Sequence, residues 1–122
     1  MAGDKKNILT LDDSVTQLAI YKSLLGSQYT LWPCTSPLKA LQLLKKASID
    51  LITVDIEMPE MTGFEFVKEI KKDKDLKEIP VIVISSHKDI QDAVKHGASA
   101  YIKKPVKAVE LREKIAQSLG AG

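Results

Sequence analysis

The stretch Leu51-Ile52-Thr53-Val54-Asp55 places a carboxylate directly after a short run of apolar residues. The run is too short and too uniformly apolar for a surface element, and it is typical of a strand covered on both faces. Three other stretches, 8–13, 81–86 and 100–105, also end an apolar run on polar or charged residues. If these runs are parallel strands, their carboxyl ends share one edge of the sheet, where open α/β sheets bind ligands.

Helix-like patterns alternate with these runs. Ser14 can cap a helix over roughly 14–26, and Gly26 can end it. We expect one side of this helix to face the core, and its apolar residues are Val15, Leu18, Ala19 and Leu25. A strand over 29–32 should then stop at Pro33. The second helix begins at Ser36-Pro37, an N-cap followed by proline at the first helical position.

The alternation continues to the end of the chain. Helices are predicted over about 63–72, from Ile90 to Gly97, and near the carboxyl end, where apolar residues recur at spacings of three and four. Five βα units imply an α/β fold, a doubly wound five-stranded parallel sheet with helices on both faces. The flavodoxin-like order 2-1-3-4-5 is one of the two common arrangements, and it places the three most apolar strands at the centre.

Composition narrows the class of protein. The 122 residues are predicted to form a single domain, 1–122, with a core of its own. A formal charge of +2 does not favour nucleic acid or an anionic membrane as a partner. No stretch approaches the roughly 20 apolar residues that membrane insertion needs, so we expect a cytoplasmic protein. Cys34 is the only cysteine, which rules out an internal disulfide and favours a small buried side chain.

The predicted strand ends bring chemically active side chains together: Asp12, Asp13, Asp55, Ser85 and Lys104. Three carboxylates at one place repel one another unless a cation holds them. Mg²⁺ suits such a site because it takes oxygen ligands and often binds one or two carboxylates plus a phosphate, and Mn²⁺ is the alternative ion. Asp55 is the best candidate for a nucleophile toward phosphorus. In a simpler interpretation, Asp12 and Asp13 only cap the first helix and Ser85 only satisfies a loop backbone group.

Five segments in order carry a family resemblance. They are Leu11-Asp12-Asp13-Ser14, the run from Val54-Asp55 to Thr62-Gly63, Ile84-Ser85-Ser86, Gly97-Ala98 and Tyr101-Ile102-Lys103-Lys104-Pro105. Together they resemble the response-regulator receiver domain of two-component systems, most closely its stand-alone chemotaxis-type members. The resemblance extends from Asn7 to Leu119.

The resemblance implies a role for each residue of the acidic cluster. Asp55 corresponds to the phosphoacceptor, which would make the chain a phosphoprotein carrying an aspartyl phosphate. Asp13 and Asp55 correspond to side-chain ligands of Mg²⁺, with Asp12 acting through water. Glu57 corresponds to the residue whose backbone carbonyl completes the metal site. Lys104 corresponds to the residue that contacts the phosphoryl group.

The resemblance also implies a switch. Ser85 would contact the phosphoryl group and move toward it, while the Tyr101 ring packs inward behind the hydroxyl. In the alternative interpretation Tyr101 is an ordinary core residue. Glu57 and His87 lie where side chains can affect access of water to the phosphate, and so its lifetime.

The implied function is phosphorelay signal transduction. A histidine kinase or histidine phosphotransfer protein would donate the phosphoryl group, and the last three βα units would change their surface for an unidentified downstream protein. The chain would not be an enzyme beyond its own phosphotransfer and autodephosphorylation. The alternative is a small Mg²⁺-dependent phosphatase or phosphotransferase with an Asp nucleophile. It is disfavoured because Asp55-Ile56-Glu57 lacks a second aspartate two residues on.

One interval departs from the family pattern. Lys104 follows Ser85 by only 19 positions, a few fewer than is usual in the family. Lys104 keeps its spacing from Tyr101, so the shortening lies between Ser86 and Gly97. We expect the loss of about one helical turn of ~3.6 residues there, and an output surface unlike that of most relatives.

Overall fold

Five parallel strands form one sheet in the order β2-β1-β3-β4-β5, as predicted. A computed structural model describes residues 5–55, 61–86 and 90–120. The strands are β1 (Asn7–Leu11), β2 (Thr30–Cys34), β3 (Leu51–Asp55), β4 (Val81–Ser85) and β5 (Ala100–Lys103). Every residue of β3 and β4 is buried, which agrees with their uninterrupted apolar sequence and central position.

In the described part of the chain, four α-helices cover the two faces of this sheet: α1 (Val15–Leu25), α2 (Pro37–Leu44), α3 (Gly63–Lys72) and α4 (Ala108–Ser118). Hydroxyl side chains fix three of their starts. The Ser14 hydroxyl accepts a hydrogen bond from the Gln17 N–H at 3.1 Å. Ser36 caps α2 in the same way, and Thr62 forms a reciprocal capping box with Glu65.

Two apolar cores lie on opposite faces of the sheet. The α2 and α3 face buries alternate strand residues such as Leu9, Ile52 and Val83. The α1 and α4 face buries the residues between them, such as Ile8 and Ile82. This alternation is the period of two of a β-strand, so the direction of each side chain at the strand ends is fixed by the core beneath it.

The predicted core side of α1 is partly wrong. Leu18 and Leu25 are buried, but Val15 is 72% exposed and Ala19 is also exposed. Tyr21 takes their place in the core with an exposure of 2%. The residues of α1 that face the sheet, at positions 18, 21 and 25, have the spacing i, i+3, i+7. Positions 15 and 19 therefore point toward the outer edge of the sheet.

The predicted end of the second strand at Pro33 is also wrong, since β2 continues to Cys34. The backbone bonds to β1 use the flanking residues: the Thr30 N–H donates to the Lys6 carbonyl, and the Cys34 carbonyl accepts from the Asp12 N–H. Backbone hydrogen-bonding groups alternate in direction along a strand. Because Thr30 and Cys34 face β1, the nitrogen of Pro33 faces away from it. An edge strand tolerates proline at such a position because no ladder hydrogen bond is lost.

The segment between β4 and β5 differs from the expectation that an α-helix follows each of the five strands. Ile90–His96 forms a 3-10 helix, and Gly97 follows it with a φ of +107°. A 3-10 helix rises ~2.0 Å per residue against ~1.5 Å for an α-helix, so it reaches the same length with fewer residues. The His96 ring packs on Phe64 of α3 with the ring centroids 4.7 Å apart. The shortened segment therefore still packs against the neighbouring helix.

Candidate functional site

The three predicted carboxylates meet at the carboxyl edge of the sheet. Asp12 and Asp13 directly follow β1, and Asp55 is the last residue of the neighbouring strand β3. One carboxylate oxygen from each lies within 4.8 Å of the others. Asp12 and Asp55 are 1% and 8% exposed, whereas Asp13 is exposed to solvent. We call these three carboxylates the acidic cup: Asp12 and Asp55 form its buried floor, and Asp13 forms its solvent-exposed wall.

Asp12 forms part of the floor of this cup. Its backbone N–H donates to the Cys34 carbonyl at 3.1 Å, and its Oδ1 accepts the Ser14 N–H at 2.9 Å. Among the described residues, its buried Oδ2 has no hydrogen-bond partner. The helix cap itself is Ser14, so capping alone does not explain the pair of aspartates.

The surroundings of Asp12 disfavour its charge. Burial raises the pKa of the Asp12 carboxyl above its ordinary value, and the hydrogen bond from Ser14 opposes that rise. The charges of Asp55 and Asp13 raise the pKa further, while Lys104 lowers it. A cation at the open wall would relieve this repulsion.

Lys104 places a positive charge beside Asp55, at the edge of the carboxylate cluster. Its Nζ lies 3.2 Å from Asp55 Oδ2, and the Lys104 backbone N–H donates to the Ser85 carbonyl at 2.9 Å. The Lys104–Pro105 peptide bond is cis. The structure therefore brings together the cation and the three carboxylates that the sequence predicted.

Ser85 and Tyr101, the predicted switch pair, occupy different environments. Ser85 is the last residue of β4 and is 1% exposed, and it pairs in register with Lys103 of β5. Tyr101 lies two residues earlier on β5, and 38% of its surface is exposed. The interpretation of Tyr101 as an ordinary core residue is therefore wrong.

Two predicted site residues, Glu57 and His87, lie outside the residues that the structure describes. Their proposed roles, completion of the metal site and control of water access, stay predictions. Both follow a described strand end, since β3 ends at Asp55 and β4 ends at Ser85.

Tyr21 is a neighbour of the site, and it is not among the residues predicted from the sequence. Its hydroxyl is buried. Its pKa is raised above the ordinary value because burial, and then the negative charges of Asp12 and Asp55, disfavour the phenolate. The sequence signal is its spacing of three from Leu18, which places Tyr21 on the buried side of α1.

Comparison with known proteins identifies the family. The family model for the response regulator receiver domain matches residues 8–116. The chemotaxis protein CheY-3 of Vibrio cholerae is 37% identical over 114 residues, which cover 88% of this chain and 87% of that protein. The two-component response regulator ARR12 of Arabidopsis thaliana is 39% identical over 111 residues. That match covers 86% of this chain but only 18% of ARR12.

Solved structures agree with the fold. The signal receiver domain of a signal transduction histidine kinase from Syntrophus aciditrophicus superposes with a TM-score of 0.86 at 32% identity. The superposition covers 95% of this chain and 91% of that domain. No helix in the described part of the chain is both long and apolar enough to cross a membrane. The chain belongs to the response regulator receiver domain family, which acts in two-component phosphorelay signalling.

Proposed function

We propose that residues 1–122 form a single receiver domain that accepts a phosphoryl group on Asp55. The donor is a phosphohistidine of a histidine kinase or a histidine phosphotransfer protein, and the domain acts in the cytoplasm. The observation that carries this proposal is the nearly buried Asp55 carboxylate, with Lys104 Nζ 3.2 Å from one oxygen and two further aspartates beside it. A nucleophile, a cation and a candidate metal site are then within reach of one phosphoryl group.

The proposed reaction is a transfer between two nucleophiles. A carboxylate oxygen of Asp55 attacks phosphorus as the bond from phosphorus to the donor imidazole nitrogen breaks, and the imidazole leaves and takes up a proton. The product is an aspartyl phosphate. The Lys104 ammonium lies beside the attacking carboxylate, where it balances the negative charge that the phosphoryl oxygens bring.

The acidic cup fits a divalent cation. The fit rests on Asp12, whose buried Oδ2 has no partner among the described residues, and on three carboxylates crowded within 4.8 Å. In the proposed site Asp13 and Asp55 would hold Mg²⁺ directly, Asp12 would hold it through water, and the Glu57 backbone carbonyl would complete the set. Mn²⁺ is the alternative ion. A bound divalent cation neutralises charge that develops on the transferred group.

Ser85 and Tyr101 are proposed to couple phosphorylation of Asp55 to a change at the protein surface. Ser85 is buried at the end of β4, next to the strand that carries Asp55, so its hydroxyl is placed to contact a phosphoryl group there. Tyr101 is 38% exposed, which leaves its ring free to pack inward when Ser85 moves. The two arrangements would differ on the surface of the last three βα units, where a downstream protein binds.

Intact-mass measurement after incubation with phosphoramidate and Mg²⁺ tests the function. We expect one labile phosphoryl adduct on the wild-type chain and on Asp75→Asn, an exposed control outside the cluster, and none on Asp55→Asn. An adduct of the same size on Asp55→Asn would contradict the assignment of the acceptor. Sustained hydrolysis of phosphate esters would instead support the phosphatase alternative.

A further inference from the structure

An apolar groove runs along the free edge of the sheet, between α1 and the edge strand β2. Its volume is about 690 Å³, within the range of binding clefts. Leu31 and Pro33 of β2 form one side, and Val15 and Ala19 of α1 form the other. Its lining includes Val15, the first residue of α1, and Lys5, which lies just before β1.

Two of these residues belong to the side of α1 that its sequence assigns to a core. Val15 and Ala19 share that side with Leu18, yet both are exposed. Val15 in particular is 72% exposed although it sits in the wall of a concave apolar surface. An apolar helix side that the domain leaves uncovered is typical of a surface that a partner covers.

Lysines surround this groove. Lys5, Lys22 and Lys39 line it, all three are exposed, and none of the residues lining the groove is acidic. Lys22 projects from α1 and Lys39 from α2, so the positive charge flanks the apolar floor on more than one side. A complementary partner carries apolar residues along one side and acidic residues beside them.

The backbone of β2 argues against a strand as that partner. Thr30 and Cys34 turn their hydrogen-bonding groups toward β1, so Leu31 and Pro33 turn theirs outward. Pro33 has no N–H to donate, which removes one of the donors that an added strand would need. A helix needs no backbone hydrogen bonds from the groove. The five residues of β2 span roughly 16 Å, the length of a helix of about 11 residues.

We propose that the groove between α1 and β2 docks an acidic amphipathic helix of about three turns from a partner protein. Its apolar side covers Val15, Leu31 and Pro33, and its acidic residues pair with Lys22 and Lys39. This surface is separate from the face of the last three βα units, so the proposal does not rest on phosphorylation of Asp55.

The test uses two matched probe peptides and the unphosphorylated full chain. Each peptide has about 14 residues with leucine at i, i+3, i+4, i+7 and i+11. One carries glutamate beside the leucine stripe, and the other carries lysine at the same positions. Fluorescence anisotropy measures affinity, and amide chemical shifts locate the bound peptide. We expect the glutamate peptide to bind at least about tenfold more tightly than the lysine peptide, with the largest shifts at Val15, Lys22 and Leu31.

Charge reversal supplies the control. Lys22→Glu with Lys39→Glu should weaken binding of the glutamate peptide about tenfold, because charge reversal replaces two attractive pairs with two repulsive ones. Lys46→Glu with Lys74→Glu, exposed lysines outside the groove, should leave the affinity unchanged. For the wild-type chain, raising NaCl from about 50 to about 500 mM should also weaken binding.

Three results would overturn the proposal. The first is a dissociation constant above about 1 mM for the glutamate peptide. The second is equal affinity for the two peptides. The third is a pattern of shifts centred on Tyr101 and Val109, the exposed apolar residues of β5 and α4.

Discussion

Replacing Asp12 with asparagine should stabilise the metal-free protein at neutral pH. Asp12 is 1% exposed, its Oδ2 has no partner among the described residues, and Asp55 and Asp13 repel its charge. Asparagine keeps an oxygen for the Ser14 N–H, which lies 2.9 Å from Oδ1. The substitution therefore removes the charge and retains the local hydrogen bond.

Asparagine still buries a polar atom at the Oδ2 position but removes its charge; an unsatisfied buried group costs about 1–3 kcal/mol, and more when it is charged. We expect a gain of that order in the free energy of unfolding at pH 7, or about 3–10 °C in Tm. The pKa of Asp12 is raised in the folded state, so the folded protein holds its proton more tightly than the unfolded chain does. The contribution of Asp12 to wild-type stability therefore falls as pH rises above 3.8, the ordinary pKa of an aspartate, and the two proteins should converge below that pH.

Mg²⁺ should reverse the difference. A cation bound only to the folded state adds about 2.7 kcal/mol at 100 times its dissociation constant, and the wild-type cup should bind it more tightly than the Asp12→Asn cup. Urea unfolding followed by circular dichroism, in EDTA and in Mg²⁺, measures both effects, with Asp75→Asn as a neutral control. A loss of stability in Asp12→Asn without metal, or equal gains from Mg²⁺ in both proteins, would refute the reasoning.

Three further substitutions test other parts of the structure. Lys104→Met removes the cation beside the phosphoacceptor, so phosphorylation by phosphoramidate should slow by about 10²–10³-fold; an unchanged rate by intact mass would contradict the role of Lys104. Ser85→Thr adds a β-branch that restricts the hydroxyl, so it should change the NMR response of Tyr101 to phosphorylation more than the phosphorylation rate; equal changes would count against this. Gly97→Ala places a Cβ 2.9 Å from Lys71 Cγ at a φ of +107° and should cost about 1–3 kcal/mol in urea unfolding; unchanged stability would show that the strain is relieved.

The sequence predicts the sheet and the acidic cluster because both depend on local patterns. Apolar runs such as Leu51–Val54 identify buried strands, and parallel connectivity places their carboxyl ends at one edge. The meeting of Asp12, Asp55 and Lys104 follows from that topology without any knowledge of side-chain packing. The start of α2 is also predicted correctly, because Ser36-Pro37 is a clear cap.

The features that the sequence did not predict depend on packing across elements. Val15 and Ala19 have the spacing of a core side, but the rotation of α1 on the sheet selects Tyr21 instead. Pro33 looks like a strand terminator unless the strand is known to lie at an edge with that residue's nitrogen outward. The number of residues between Ser86 and Gly97 predicted a shortened segment, but not that it would adopt a 3-10 helix.

Locating the phosphate in the chain tests whether Asp55 is the phosphoacceptor of this domain. Borohydride reduces an aspartyl phosphate to homoserine, which tandem mass spectrometry then assigns to a position in the chain. After incubation with phosphoramidate and Mg²⁺, we expect homoserine at position 55, and an intact aspartate there when either reagent is omitted. Homoserine at Asp12 or Asp13, or a phosphate that resists borohydride on Ser85, would contradict it.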